Sequence, residues 1–407
     1  LQRMTEVYPE LDPSTIWHRR SVSGAVLAAS MHTNNLAAAP RRYVTQGDNE
    51  VVFYSGLPVN STGNYLAHQA EDLSSHWDQI TENLEGMYCI VRTTDQPSRL
   101  ELLTDIIGVE QVYYFHNEGR WIISNSVCLI DRIIGRVALD PLGISLFLSV
   151  GWEGDDSTLK SNIRVIAGGQ YWTWKEGNNE PERQSYYSPA RLARLPRKRL
   201  TKDYYKHLSE DLIQIMRSLS RSFDNITCAL TGGHDTRLLS SLLIHAGLKA
   251  QYYTFGELFG ADGKIAKQIA QICGFPYKFI HFATPDILSS WDKICRQIMQ
   301  QGDGMAPVDL ITSVLFNLNL RFDRLPVDLG GTGGDLARRG LYSTYDLFLN
   351  KYGVVDMQDY MVKKVISDYG GLINKEGIEL ARDCICRFVS QYTDDGFHPI
   401  DIPHAFF

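Results

Sequence analysis

The stretch ITCALTGGHDTRLLSSLL, residues 226–243, restricts the fold more than any other part of the chain. An apolar run reads as a buried strand, breaks at Thr231-Gly232-Gly233, and resumes past Asp235 as a Leu-rich segment with helical spacing. The same grammar then repeats. TRLLSSLLIHAG is a helix ended by Gly247, AQYYTFG a strand, DGKIAKQIAQICG a helix ended by Gly274, and YKFIHF another strand. A longer helical region follows, and PVDLGGTGGD is a further strand entering a Gly-rich turn. Strands alternating with helices predict a parallel, doubly wound sheet, with the ligand crevice beyond the carboxyl ends of its strands. Both Gly-rich turns fall at such an edge.

The first 185 residues are written differently. EVVFYSG, GMYCIVRTT, RLELLTD, QVYYFHN and RWIISNS are short β-branched or aromatic runs separated by turn residues. NYLAHQAEDLSSHWDQITENL has helical spacing, ALDPLGISLFLSVGW predicts a helix, and IRVIAGGQYWTWKEG a hairpin. This is an α+β layer and not a βαβ repeat. The basic run RLARLPRKRL, residues 191–200, reads as a solvated linker before the helical DYYKHLSEDLIQIMRSLSRSF. Two domains are therefore expected, residues 1–190 and 191–407.

Composition removes several classes. A net charge of −7 lacks the basic footprint of a nucleic-acid partner. No apolar run is long enough to span a membrane, and no signal-peptide pattern opens the sequence. The seven cysteines are odd in number and contain no C-x-x-C pair, which predicts reduced, mostly buried thiols and a cytoplasmic location. Cys384 and Cys386, two apart on a helix, would point in different directions. The sequence begins at Leu1 and closes on the apolar PIDIPHAFF, and a further C-terminal part is expected.

Successive backbone N–H groups at Thr231-Gly232-Gly233, together with a helix N-terminus, can converge on phosphate oxygens. The hydroxyls of Thr231 and Thr236 can add hydrogen bonds. A carboxylate beside a polyphosphate implies a cation between them, which makes Asp235 a candidate Mg²⁺ ligand. The alternative is that Asp235 caps the helix and the glycines only make the turn. GADGKIAK lacks the glycine spacing and the Ser/Thr of a P-loop, and no G-x-G-x-x-G dinucleotide fingerprint follows a strand. The turn Gly330-Gly331-Thr332-Gly333-Gly334-Asp335 repeats the first one's logic. Two acids on two such turns could hold one Mg²⁺ on a pyrophosphate, an arrangement suited to cleavage between the α and β phosphates.

LTGGHDTRLL resembles the S-G-G-x-D-S pyrophosphate loop of the N-type ATP pyrophosphatases, with Thr at both Ser positions. GGTGGD, a hundred positions later, resembles the S-G-x-G-x-D-E element of asparagine synthetases. LEGMYCIVRTT, LELLTDIIGVEQVYYFHNEGRWIISNS and IRVIAGGQYWTW resemble landmarks of that family's glutaminase-like (Ntn) domain. The resemblance covers nearly the whole chain in the family's order. It implies an α+β Ntn glutaminase-like domain followed by an α/β domain of adenine nucleotide alpha hydrolase-like fold. It also implies adenylation of a carboxylate by ATP with Mg²⁺, release of pyrophosphate, and attack by an amine to form an amide. Carried over by position, Thr231, Gly232, Gly233, Asp235 and Thr236 would cradle pyrophosphate, and Asp235 and Asp335 would hold Mg²⁺. Leu230, Thr254 and Phe255 would flank adenine, and Gly331 and Gly333 would leave room for the adenylate.

The departures narrow this. Glutamine-hydrolysing members use an N-terminal cysteine, whereas the first cysteine here is Cys89. If Leu1 lies near the natural start, this domain does not release ammonia. Leu336 stands where asparagine synthetases carry Glu, and Thr332 where β-lactam synthetases carry a Tyr. The implied relatives are glutaminase-inactive amide ligases, such as lasso-peptide macrolactam cyclases. The expected partners are a carboxylate and an amine substrate, in one version a peptide precursor brought by a delivery protein, with neither nucleic acid nor membrane. The Lys that such ligases use in their C-terminal segment has no equivalent here, and the catalytic residues stay unassigned. Amidation with external ammonia and a non-catalytic nucleotide-binding homologue remain as alternatives. A third is a tRNA-thiolating enzyme, which would want a crevice cysteine and a basic face. His234, His281 and QQGDGMAP (residues 300–307, a candidate acceptor pocket) are further residues of interest.

Overall fold

The computed structural model describes residues 16–20, 26–30, 43–46, 50–60, 77–154, 156–188, 190–191, 194–196, 199–223, 225–257, 260–281, 284–305, 327–331, 356–367, 371 and 373–403. The helical segment expected from residue 64 falls outside them up to residue 76.

The antiparallel part comprises β1 (Ile16–Arg20), β2 (Val26–Ser30), β3 (Tyr43–Gln46), β4 (Glu50–Asn60), α1 (Ile80–Asn83), β5 (Leu84–Asp95), β6 (Ser98–Thr104), β7 (Tyr113–Asn117), β8 (Arg120–Ser124), α2 (Val127–Ile134), α3 (Pro141–Val150), β9 (Ile163–Val165), β10 (Gln170–Lys175) and β11 (Glu182–Ser185). β1 and β2 pair as a ribbon. A six-stranded sheet runs β11-β10-β6-β5-β4-β3 and a three-stranded sheet β8-β7-β9. Alternation of side chains along the strands builds two faces on each sheet. Leu102 and Trp172 of the larger sheet pack with Tyr114, Trp121 and Ile123 of the smaller one. The outer face of the larger sheet buries Val52, Tyr88 and Ile90 with Ile80 of α1, and that of the smaller one buries Tyr113 and Ile163 with Val127 and Ile130 of α2. The α+β layer read from the sequence is thus present.

Two local expectations change. The hairpin over 163–177 does not form: β9 pairs with β7 and β10 with β6 and β11, in different sheets. Between them Gly168 and Gly169 let the chain cross. A Cβ on Gly168 would lie 2.6 Å from the Gly108 nitrogen, and Gly169 has φ of +69°. Helix α2 was not anticipated, although Ser126 caps its first turn and Gly135 ends it in the left-handed region.

The second part holds α4 (Lys202–Ser222), β12 (Ile226–Ala229), α5 (His234–Ala246), β13 (Gln251–Gly256), α6 (Ala261–Cys273), β14 (Tyr277–His281), α7 (Pro285–Ser289), α8 (Trp291–Gln301), β15 (Val327–Leu329), α9 (Met357–Val365) and α10 (Lys375–Asp394). β14-β13-β12-β15 form one sheet, and every neighbouring pair in it is parallel. One face is covered by Met216 and Leu219 of α4, Leu242 and Leu243 of α5, and Ala266 and Ala270 of α6. The other carries Tyr253 and Ile280 against Ile294 and Ile298 of α8. Leu243 is fully buried, and its replacement by Ala should cost about 2–5 kcal/mol through the lost contacts and the cavity left behind. Gly247 and Gly274 end α5 and α6 with φ of 73° and 66°, as the sequence predicts. From β12 the chain steps outward to β13 and β14, then returns to place β15 on the opposite side of β12. The strand order therefore reverses between β12 and β15, which is where parallel sheets open their ligand crevice.

α9 and α10 pack away from this sheet. Ala381 and Cys384 of α10 meet Leu146 of α3, and the Ser367 N–H donates to the Ser149 carbonyl at 2.8 Å.

Candidate active site at the β12–β15 switch point

β12 delivers the chain to the crevice along a saturated ladder. Leu230 is fully buried; its N–H donates to the Tyr253 carbonyl at 2.8 Å, and its own carbonyl accepts from the Thr254 hydroxyl. Two of the residues expected beside adenine are thereby bonded to each other. Phe255, the third, packs edge-on against Tyr253 at 5.2 Å.

Beyond Leu230 the turn is held by its own threonines. The Thr231 N–H donates to the Thr236 hydroxyl at 3.1 Å, the Gly233 N–H to the Thr231 hydroxyl at 3.0 Å, and the two hydroxyls lie 3.0 Å apart. The Gly232 N–H donates to the Asp262 carboxylate at 3.1 Å. A Cβ at position 232 would stand 2.9 Å from Ile265 Cδ1, so a side chain there would make the tip of Ile265 shift. α5 then begins on Gly233, and α6 on Gly260, neither with a side-chain cap. By contrast α2, α3, α4, α9 and α10 each start on a Ser, Asp, Thr or Asn whose side chain accepts from the first turn. The two helices that start at the crevice thus present first-turn amides and positive dipole ends uncapped by side chains.

The start of the second Gly-rich turn, at Gly331, meets the first. A Cβ on Gly331 would lie 2.9 Å from Asp235 Cβ and 3.6 Å from the Thr236 nitrogen. Adjacent pairing of β12 and β15, with Ile226 opposite Val327, produces this apposition. Gly333 and Asp335 lie outside the described residues, as do Thr332 and Leu336. Among the described residues no cluster of three or more His, Cys, Asp or Glu side chains forms a metal site.

Three features at the crevice were not singled out in the sequence. Asp262 is one, and its DGK context carries no signal that it reaches Gly232. Arg237 is another: its Nε donates to the Gly233 carbonyl at 3.0 Å and its guanidinium lies 3.1 Å from His234 Nδ1. Exposed His234 thus packs with Arg237 beside the turn. The third is Asp328 of β15, whose carboxylate accepts from the Thr227 hydroxyl at 2.6 Å and the Tyr253 hydroxyl at 2.7 Å. Desolvation pushes the Asp328 carboxyl up, opposed by these two hydrogen bonds. It also pushes up the Tyr253 phenol, with the Asp328 carboxylate adding to the rise.

His281 ends β14 opposite Gly256. The 300–307 segment, described up to Met305, turns to the antiparallel part. The Asp303 carboxylate accepts from the Ser126 hydroxyl at 2.8 Å and the Cys128 N–H at 3.0 Å, while Met305 is buried beside Tyr113 and Val127. The cysteines are free thiols. Burial pushes Cys228, just below the crevice, and Cys89 each up to about 12, which disfavours the nucleophilic thiolate in both. Among the described residues no helix is long and apolar enough to cross a membrane.

No protein-family model and no curated protein matches the chain. Among solved structures it is similar to glutamine phosphoribosylpyrophosphate amidotransferase from B. subtilis complexed with ADP and GMP, at 9% identity, 63% of this chain, 51% of that one and a TM-score of 0.25. A second is the allosteric regulatory enzyme of purine biosynthesis, at 8% identity, 70% and 75% coverage and a TM-score of 0.25. A third is glutamine-dependent NAD+ synthetase from Acinetobacter baumannii in complex with ADP, at 10% identity, 83% and 73% coverage and a TM-score of 0.25. The chain thus spans about half the length of the first of these. Likenesses this distant assign neither a family nor a residue role.

Proposed function

We propose that this protein is an ATP- and Mg²⁺-dependent amide ligase that adenylates a carboxylate, releases pyrophosphate and joins the acyl group to a substrate amine. The observation that carries this reading is the apposition of Gly331 and Asp235 at the β12–β15 switch point. It sets the start of the second Gly-rich turn against the first turn's acid, at the edge where a parallel sheet binds ligands.

The residues fit the group. Thr231, Gly232, Gly233 and Thr236 offer amides and hydroxyls, the uncapped start of α5 favours an anion, and Gly331 keeps side-chain bulk away from Asp235. Asp235, with Asp335, would hold Mg²⁺, whose chemistry is to neutralise charge on the leaving pyrophosphate. Leu230, Thr254 and Phe255 would form the adenine side, and Gly333 would add room for the adenylate. The chain's own contribution is positional. The Thr231–Thr236 pair holds the turn amides until a ligand takes them over, since a neutral hydroxyl can rotate to a new partner. The antiparallel part fits a glutaminase-like unit kept for structure, with Cys89 held as a thiol and not serving as nucleophile. The amine then comes from a substrate, in the version we favour within a peptide, giving a macrolactam. Buried, protonated Cys228 weighs against crevice thiol chemistry of the tRNA-thiolating kind.

The test is pyrophosphate release from ATP with candidate carboxylates and amines, comparing wild type with Asp235→Ala. Release that depends on the acid and on Mg²⁺ should fall about a thousandfold in the variant. A folded protein that binds no nucleotide would sink the ligase reading. Glutamine serving as sole nitrogen donor would overturn the account of the antiparallel part.

A further inference from the structure

Of the hydrogen bonds described for the Thr231, Gly232 and Gly233 amides, that of Gly232 is the one with a charged acceptor. Asp262 stands thirty positions away, in the first turn of α6, and reaches across to it at 3.1 Å. An acid at that helical position ordinarily serves the amides of its own helix, yet this one is spent on the neighbouring turn. The fit is close: a Cβ on Gly232 would stand 3.2 Å from the same Asp262 oxygen. The other turn amides are held by Thr hydroxyls, which are neutral and can rotate to a new partner.

We propose that Asp262 is a resident anion of this turn, occupying through the Gly232 N–H the place that a phosphate oxygen takes when polyphosphate binds. The inference rests on the reading of the turn as an anion cradle. A turn of successive backbone amides favours a negative charge, and without a ligand the Asp262 carboxylate supplies it. An incoming phosphate and Asp262 repel each other, so entry requires the Asp262 side chain to rotate away. Asp262 is exposed, which leaves it free space to do so. Its departure also releases the hydrogen bond that ties the β12 turn to α6, so occupancy of the cradle is coupled to how firmly α6 is held at that end. The turn is then closed to weak anions and opens to a polyanion able to engage several donors at once.

The experiment titrates wild type, Asp262→Asn and Asp262→Ala with inorganic pyrophosphate in metal-free buffer by calorimetry. Thermal melts establish that all three are folded, as expected for an exposed side chain. The Asn variant loses the charge but retains an oxygen acceptor, whereas Ala loses both. Resident occupancy therefore predicts affinity rising in the order Asp, Asn, Ala, with about tenfold between the ends. Equal affinities for Asn and Ala would reduce the effect to distant charge and overturn the proposal. Weaker binding in the variants, or no binding by any of the three, would also overturn it. Loss of binding by Ala only when Mg²⁺ is present would make Asp262 a metal ligand instead. A protein that turns over ATP but gains nothing from Asp262 substitution keeps the ligase reading and loses this one. Tighter pyrophosphate binding by the Ala variant without turnover does the reverse.

Discussion

Asp105 and Asp235 each belong to a turn that follows a buried strand, β6 in one case and β12 in the other, and each turn contains glycine. Around Asp105 the polar groups are closed on themselves. Its carboxylate accepts from the N–H groups of Ile107, Val109 and Glu110 at 3.0 to 3.1 Å and of Tyr88 at 3.3 Å, and the residue is fully buried. The carboxylate acts as a local framework and engages the amides of Tyr88, Ile107, Val109 and Glu110 itself. Around Asp235 the turn amides are held by hydroxyls and one exposed carboxylate, and the helix starts without a side-chain cap. A glycine turn with an acid is therefore not a binding site by composition. What distinguishes one is whether its donors are consumed by an inflexible internal acceptor or held by groups that can let go.

The two aspartates should respond to substitution in opposite ways. Asp235→Asn should remove about a thousandfold of ATP-dependent pyrophosphate release with little change in melting temperature. Asp105→Asn should do the opposite. Four amides share that carboxylate, so the substitution should cost about 3 kcal/mol in denaturant unfolding, with nucleotide affinity of the folded protein unchanged. If Asp105→Asn left stability intact and Asp235→Asn unfolded the chain, the assignment of framework and site would be inverted. Gly331→Ala comes next. The new Cβ must displace Asp235, so kcat/KM should fall about ten- to a hundredfold while the protein stays folded. Wild-type kinetics in this variant would mean that the two turns do not work together.

The smallest effect tests the antiparallel part by itself. Desolvation pushes the Glu153 carboxyl up to about 7, and its Oε1 atom has no hydrogen-bond partner among the described residues. A carboxyl whose pKa is higher in the folded state binds its proton more tightly there, so its contribution favours folding at low pH. That contribution declines as pH rises from the unfolded value near 4.5 to about 7. Glu153→Gln should therefore raise the melting temperature by about 2–4 °C at pH 8 and leave it unchanged at pH 4. A gain of equal size at both pH values would show that desolvated charge is not the cause. Nucleotide binding should not respond.

How much of this could be read beforehand follows from the range of the forces involved. The strands and helices from Ile226 to His281 were legible, because apolar period, Gly247 and Gly274 act within a few residues. The hairpin expected over 163–177 was misread because strand partners are chosen across the chain: β9 found β7, and β10 found β6. Thr231, Gly232, Gly233, Asp235 and Thr236 were legible as one Gly-rich turn between β12 and α5. Asp262 was not, since nothing in DGKIAK reveals a bond to an amide thirty positions earlier. In the 300–307 segment, described up to Met305, the docking of Asp303 and Met305 against α2 and its neighbours was likewise not legible.

The local elements, the two grammars of the chain and the donor types of each Gly-rich turn were legible in residue order, because these depend on side-chain period and turn propensity. Tertiary structure alone decided that β15 lies beside β12, that Gly331 therefore touches Asp235, and that Asp262 holds the Gly232 amide. The physical reason is that strand order is set by burial of both sheet faces over the whole parallel unit. The meeting of two turns a hundred positions apart is a consequence of that order and not of either turn.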